Sequence, residues 1–179
     1  LKANGGEAKT EKEEVKVTAN LENQVIITLS REYGSGGRYI GKLVAEKLGI
    51  RLYDKEFVAK LAEETGLSSE YIENNEQKRG ALETLNNGYY SGLSNSDELF
   101  IKESELIKKV ASENSCVIVG RCADFILKEN KNVFKVFVYS NMENKVKRAI
   151  DIYGLDKNKA EKEINRINKL RANHYKYYT

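Results

Sequence analysis

Three glycines and two arginines within residues 31–38, Arg31-Glu-Tyr-Gly34-Ser35-Gly36-Gly37-Arg38, are the part of this sequence best suited to chemistry. That chemistry is anion binding. Glycine lets a backbone approach a ligand closely and take turns that other residues avoid. Before the turn, Val25, Ile26, Ile27 and Leu29 form a short β-branched apolar run, which suits a strand covered on both faces. After it, Ile40, Leu43, Val44 and Leu48 recur at helical spacing, so the glycines sit at a helix N-terminus. Unpaired N–H groups and the positive end of the helix dipole attract anions there, and Arg31 and Arg38 add full positive charge on either side. A bare strand-to-helix turn requires neither three glycines nor two flanking arginines. Phosphate is therefore the expected ligand.

The elements that must position this turn alternate along the chain. A strand at 25–30 leads to a helix from about Gly36 to Leu48, stopped by Gly49. Residues 50–54 read as a second short strand ending at Asp54, followed by a helix at 55–65 ended by Gly66 and a shorter one capped by Ser68 or Ser69. From 74 to 95 Asn, Gly, Ser and Tyr dominate, which marks a loop whose tyrosines either meet a flat ligand or cover their own neighbours. Ser96 is expected to cap a long helix over 97–113, with Leu99, Ile101, Leu106, Ile107 and Val110 as its apolar set. Residues 116–119 are a buried strand entering Gly120-Arg121 and a helix at about 122–128. A strand at 133–139, a helix from Asn141 to about Tyr153 and a basic helix over about 157–177, capped by Asp156, complete the pattern. Such alternation predicts an α/β fold, a three-layer parallel sheet with helices on both faces and ligands at the carboxyl ends of the strands.

In that architecture the glycine turn, Asp54 and Gly120-Arg121 all leave strand ends and open on one edge of the sheet. An anion cradle, a carboxylate and a second arginine on one rim suggest a site for two phosphate-bearing groups. Phosphoryl transfer is mostly positioning plus cationic clamping, so it needs arginines more than a nucleophile. Arg166 and Arg171 of the last helix are expected to complete the clamp from a mobile flap.

Composition narrows the classes. The 179 residues suit one domain able to bury a real core, and 40% apolar with 32% charged residues describe a globular chain. A formal net charge of +3 is too small to argue for nucleic acid. No apolar run approaches the roughly 18 residues of a membrane span, and the N-terminus is polar throughout. Two cysteines, Cys116 and Cys122, fit a reducing cytoplasm, and with His174 the sole histidine no metal-site cluster is visible. Residues 1–23 are Lys/Glu-rich, an extension or tag with a short candidate strand at 15–21. The chain begins at Leu1, its sole methionine is Met142, and it contains no proline.

Four stretches together resemble the cytidylate kinase-like family. They are Thr28-Leu-Ser-Arg-Glu-Tyr-Gly-Ser-Gly-Gly-Arg38, Tyr53-Asp-Lys-Glu-Phe57, Val117-Ile-Val-Gly-Arg-Cys-Ala-Asp124 and Arg171-Ala-Asn-His-Tyr-Lys-Tyr-Tyr-Thr179, in consistent order over about 24–179. The resemblance implies a P-loop nucleoside monophosphate kinase-like domain with a helical lid. It also implies ATP as donor, a pyrimidine monophosphate such as CMP or dCMP as acceptor, Mg2+, and direct in-line transfer. Position by position, it makes Gly34, Ser35, Gly36, Gly37, Arg38 and Tyr39 the nucleotide-phosphate loop, with Arg31 beside it. Asp54 would open an acceptor-binding region at about 54–95, where Lys60 stands in for an arginine near the acceptor phosphate. Gly120 and Arg121 would meet the acceptor, with Cys122 where the family places an aspartate. Arg148 would mark the entry to a lid at about 148–179, and Arg166 and Arg171 would be its arginines. Arg38, Arg121, Arg166 and Arg171 are the expected catalytic cations.

The chain departs from the G-x-x-x-x-G-K-[ST] loop, because Gly37 occupies the lysine position and Arg38 follows it. Arginine and lysine are not interchangeable at a close phosphate site. No Ser or Thr comes next to hold Mg2+, which leaves Ser35 or Ser30. The family's last strand and C-terminal helix have no counterpart here. Small nucleotides are the expected partners, with neither membrane nor nucleic acid. Two other readings compete. A non-catalytic phosphate or nucleotide sensor would keep the cradle without the lysine. A dinucleotide-binding domain would use Gly34, Gly36 and Asp54, but its third glycine falls on Tyr39.

Overall fold

The computed structural model describes residues 24–54 and 95–179. The candidate strand at 15–21, the helices expected at 55–65 and 68–73, most of the tyrosine-rich loop and Lys60 lie outside the described residues. Among the described residues four parallel strands form one sheet, in the order β2-β3-β1-β4. β1 is Ile26–Arg31, β2 Arg51–Tyr53, β3 Cys116–Val119 and β4 Val133–Val138. β1 is central because its β-branched run is covered on both faces. Ile26 pairs with Cys116 on one side and with Val133 on the other.

The period of two in β3 divides the core into two layers. Cys116 and Ile118 pack with Ile26 against α2 (Asn95–Glu113), whose Leu99, Leu106, Ile107 and Val110 are buried. Val117 and Val119 pack with Leu29 and Ala45 on the other face, under α1 (Gly37–Leu48). Each such fully buried aliphatic side chain stabilises the fold by about 1.5–3 kcal/mol relative to exposure. α1 approaches the sheet closely at Gly41, where a Cβ would stand 3.1 Å from Val119 Cγ2. Gly49, at φ 65°, ends α1 by turning its N–H back to the Ala45 and Glu46 carbonyls.

The remaining elements are α3 (Ala123–Ile126), α4 (Met142–Asp151) and α5 (Ala160–Tyr178). Asn141 caps α4 as its side chain predicts, accepting from Asn144 N at 2.9 Å. Asp156 instead caps a turn, accepting from Asn158 N at 2.8 Å, so α5 begins at Ala160 and not at Lys157. β4 forms where a strand is expected, over Val133–Val138, but its faces are open. Phe134 and Phe137 are 62% and 61% exposed, because among the described residues β4 stands at the sheet edge and pairs with β1 alone. Among those residues no helix is long and apolar enough to cross a membrane.

Candidate functional site

The carboxyl ends of β1, β2 and β3 open into a cleft of about 1090 Å³, bounded on the other side by α5. Ser30, Arg31, Glu32 and Tyr33, which lead from β1 into the glycine turn, line it. Ser35 Oγ donates to Glu32 O at 2.9 Å and accepts from Gly37 N at 3.3 Å, which braces the turn from within. Gly34 and Gly36 take φ of 79° and 83°, in the left-handed region that favours glycine. α4 packs directly on them. A Cβ at Gly34 would stand 2.8 Å from Lys145 O, and one at Gly36 would stand 3.0 Å from Arg148 Cζ. The same helix anchors the turn through Lys145, buried against Glu32, with Nζ to Oε2 at 2.9 Å. Tyr33 N donates to Asn168 Oδ1 of α5 at 2.6 Å. The amides of Gly34, Gly36, Arg38 and Tyr39 donate no hydrogen bond among the described residues. The loop therefore keeps a set of free N–H groups at the start of α1, as an anion cradle requires.

The arginines fall into distinct settings. Arg31 crosses the cleft floor; burial lowers its guanidinium from the ordinary arginine range, with Asp54 acting in the opposite sense. Arg38, 55% exposed at its side chain, forms an ion pair through Nε with Asp54 Oδ2, an oxygen shielded from solvent with no aligned hydrogen bond. Arg121 Nη1 donates to Glu103 Oε1 at 3.0 Å. Gly120, Arg121 and Cys122 all take positive φ, so the chain turns sharply as it leaves β3 and delivers Arg121 to the cleft wall. Arg148 lies against Gly36 of the phosphate turn. Arg171 Nη1 donates to Arg31 O at 3.2 Å, and burial, followed by the neighbouring Arg31 charge, pushes its guanidinium down to about 10. Arg166 lines the cleft but binds Glu163 through Nε and Nη2 at 2.8 and 2.6 Å, on an exposed face. Tyr39 is 60% exposed on the first turn of α1.

The structure thus brings Arg31, Asp54, Gly120, Arg121, Arg166 and Arg171 to one cleft. Arg148 and Arg38 stand at the turn itself, while Lys60 lies outside the described residues. Sequence reasoning missed the residues that hold these groups. Glu103 is 1% exposed, and its signal was a carboxylate inside the apolar stripe of α2, four residues after Leu99. Lys145, Asn168 and Tyr175 gave no such signal, since each meets a partner distant in sequence. Tyr175 Oη donates to Asp124 Oδ2 at 2.7 Å, and that bond raises its phenol to about 12.

A glycine turn opening a helix after the central strand of a parallel sheet, with cations around the strand ends, defines a P-loop kinase fold. Two shikimate kinases share it. One, from Acinetobacter baumannii in complex with shikimate, is 18% identical with a TM-score of 0.50, over 88% of this chain and 81% of that one. The other, from Bacteroides thetaiotaomicron, is 19% identical with a TM-score of 0.53, over 86% and 82%. A crystal structure of a protein from Eubacterium ventriosum ATCC 27560, described as uncharacterized, is 28% identical with a TM-score of 0.65, over 87% and 78%. Comparison with curated proteins found no match. The model of the cytidylate kinase-like family matches residues 26–179, and the chain belongs to that family. Kinase-type phosphoryl transfer is the chemistry that the family supports.

Proposed function

We propose that this protein transfers the γ-phosphoryl group of ATP to a pyrimidine nucleoside monophosphate, CMP or dCMP, giving CDP or dCDP. The observation that carries the reading is the set of arginines converging on one cleft beside free loop amides. Two anionic nucleotides cannot approach each other without such charge, and a cleft with four arginines in its lining supplies it. The turn amides and the arginines beside them bind the donor's phosphates. Arg121, held by Glu103, neutralises the acceptor phosphate together with Lys60, and Arg171 and Arg166 of α5 close over the charge that develops. An acceptor phosphate oxygen bonds to the γ-phosphorus as the γ-phosphorus–bridging-oxygen bond breaks, and that electron pair leaves with ADP. No covalent enzyme intermediate forms.

Mg2+ would accompany ATP and neutralise charge between its terminal phosphates. Ser35 is engaged within the turn at both its donor and acceptor sides. Ser30, which lines the cleft, is therefore the hydroxyl of the two that would serve the ion, with water and phosphate completing its shell. The second reading, a sensor that binds nucleotide without turnover, rests on the glycine at the lysine position.

One titration separates the two. Each nucleoside monophosphate, with shikimate as a non-nucleotide control, is mixed with ATP and Mg2+, and diphosphate product is measured beside binding heat. CDP formation supports the kinase. Saturable binding without product supports the sensor, and neither signal overturns both. Arg121→Ala is expected to raise the acceptor's KM, and an unchanged KM and kcat would remove Arg121 from its assigned role.

A further inference from the structure

The glycine at position 37 and the arginine at position 31 are two halves of one substitution. When Gly36 is set on the second glycine of G-x-x-x-x-G-K-[ST], Arg31 falls on the first glycine and Gly37 on the lysine. The cation and the glycine have changed places, and the structure shows why one requires the other. A Cβ at Gly37 would stand 2.6 Å from Arg31 Cβ and 3.1 Å from its Cγ, so the Arg31 stem fills the space a residue-37 side chain would leave by. At its far end, a Cβ on Gly120 would overlap Arg31 Nη1. The side chain therefore runs from the first turn of α1 to the end of β3, from the phosphate turn to the residue preceding Arg121. Glycine stands at both ends of that path.

Its head is also unusual. Arg38, Arg121 and Arg166 face carboxylates, and Arg171 donates to a carbonyl. The Arg31 guanidinium lines the cleft and feels the charge of Asp54, yet it donates no hydrogen bond among the described residues. A shielded cation with unused donors is costly unless an anion meets it. Five N–H donors in a planar fork match the oxygens of a phosphoryl group. Arg38 is a poorer candidate, since it is more than half exposed and already paired with Asp54.

We propose that Arg31 replaces the loop lysine: its guanidinium binds the terminal phosphate of the donor and stays on the phosphoryl group as it passes to the acceptor. This deepens the kinase reading and rests on it for the transfer step, while the phosphate contact stands by itself. Arg31 exchanges no proton in the step.

The test uses Arg31→Met, which keeps the stem against Gly37 and removes the charge, Arg31→Lys, Gly37→Lys, and the double variant R31G/G37K, which restores the usual order of glycine and lysine. Each is checked for folding by circular dichroism. Two quantities are then read, affinity for inorganic tripolyphosphate by calorimetry and kcat for diphosphate formation. The expected result is a loss of about 10²-fold or more in kcat for Arg31→Met, with weaker tripolyphosphate binding and a shallower salt dependence. Gly37→Lys alone should lose both quantities, because its side chain meets the Arg31 stem. R31G/G37K should recover at least about tenfold in kcat over Arg31→Met, since a lysine then stands where the family of loops places it.

Arg31→Met binding tripolyphosphate as the parent does, while Arg38→Ala does not, would overturn the proposal and move the role to Arg38. A parent chain that fails to bind tripolyphosphate would overturn it as well. Binding that depends on Arg31 in a chain that forms no diphosphate would uphold the contact and sink the kinase reading alone. Should Arg31→Met fail to fold, Arg31→Lys and the double variant decide, and a folded double variant with no recovery of binding refutes the exchange.

Discussion

Replacing Glu103 asks whether the arginine at the end of β3 is held by a buried charge. Glu103 is 1% exposed and the Arg121 side chain 17%, so their 3.0 Å contact is largely shielded from water. Removing one partner of a buried pair costs about 3–5 kcal/mol, because the other loses the charge that offset its desolvation. Arg121 keeps a path to water through the cleft, which puts Glu103→Ala near the lower end, about 3 kcal/mol. In a chain of this size each kcal/mol lowers Tm by roughly 2–4 °C, so a fall of roughly 6–12 °C is expected. Glu103→Gln keeps the shape and one acceptor but not the charge, and should cost about 1–2 kcal/mol. Glu105→Ala, exposed on the same helix, serves as control and should stay within about 0.5 kcal/mol of the parent. Differential scanning calorimetry of the three variants reads the series directly. A Glu103→Ala melting point within about 2 °C of the Glu105→Ala control, less than 1 kcal/mol, would refute the buried-charge account. So would Glu103→Gln destabilising more than Glu103→Ala.

Arg166→Ala removes an exposed pair with Glu163 and should change stability by less than about 0.5 kcal/mol in urea unfolding. Its kcat should fall if α5 closes over the phosphates, and unchanged kcat would mark Arg166 as a solvated surface residue. Gly34→Ala forces a side chain into φ 79° and within 2.8 Å of Lys145 O. The left-handed strain alone is worth about 1–2 kcal/mol, and a chemical denaturation midpoint equal to the parent's would contradict the close packing of α4. Tyr175 keeps its proton up to about 12 in the folded chain against 10.0 when unperturbed. The Asp124 bond therefore contributes fully below pH 10 and is lost as the pH rises to 12, so the parent should lose more stability over that window than Tyr175→Phe. Tyrosinate absorbance together with unfolding at each pH checks the sign. Burial raises the Cys116 thiol to about 11, so in a Cys122→Ser background a thiol reagent at pH 8 should react with it only after unfolding.

How far the chain could be read from its residues varies by element. β3 was legible because Cys116–Val119 is apolar on both faces and its neighbours bury both. β4 carries a similar run, yet Lys135 in its middle is the kind of residue that edge strands use, and among the described residues the strand lies at the edge. Residues 30–33 at the end of β1, Asp54 and Arg121 line one cleft, since parallel topology sends every strand's carboxyl end to the same side. The pairings were not legible. Arg38 with Asp54, Arg121 with Glu103 and Lys145 with Glu32 depend on which helix crosses which loop, and no local pattern encodes that. Arg31 shows the same limit. Its place beside the turn was readable, but its course across Gly37 to Gly120 exists only in the folded chain.

Tyr33 sits beside the phosphate turn, its ring 5.3 Å from that of Tyr153 and 5.7 Å from the Arg171 guanidinium. The chain has eleven tyrosines and no tryptophan, so its near-ultraviolet emission is tyrosine emission, unmasked by indole. An occupant of the cleft that draws Arg171 away from Tyr33 changes the surroundings of that fluorophore. The protein consequently carries its own optical reporter at the mouth of the site, and Tyr33→Phe is the variant that would silence it.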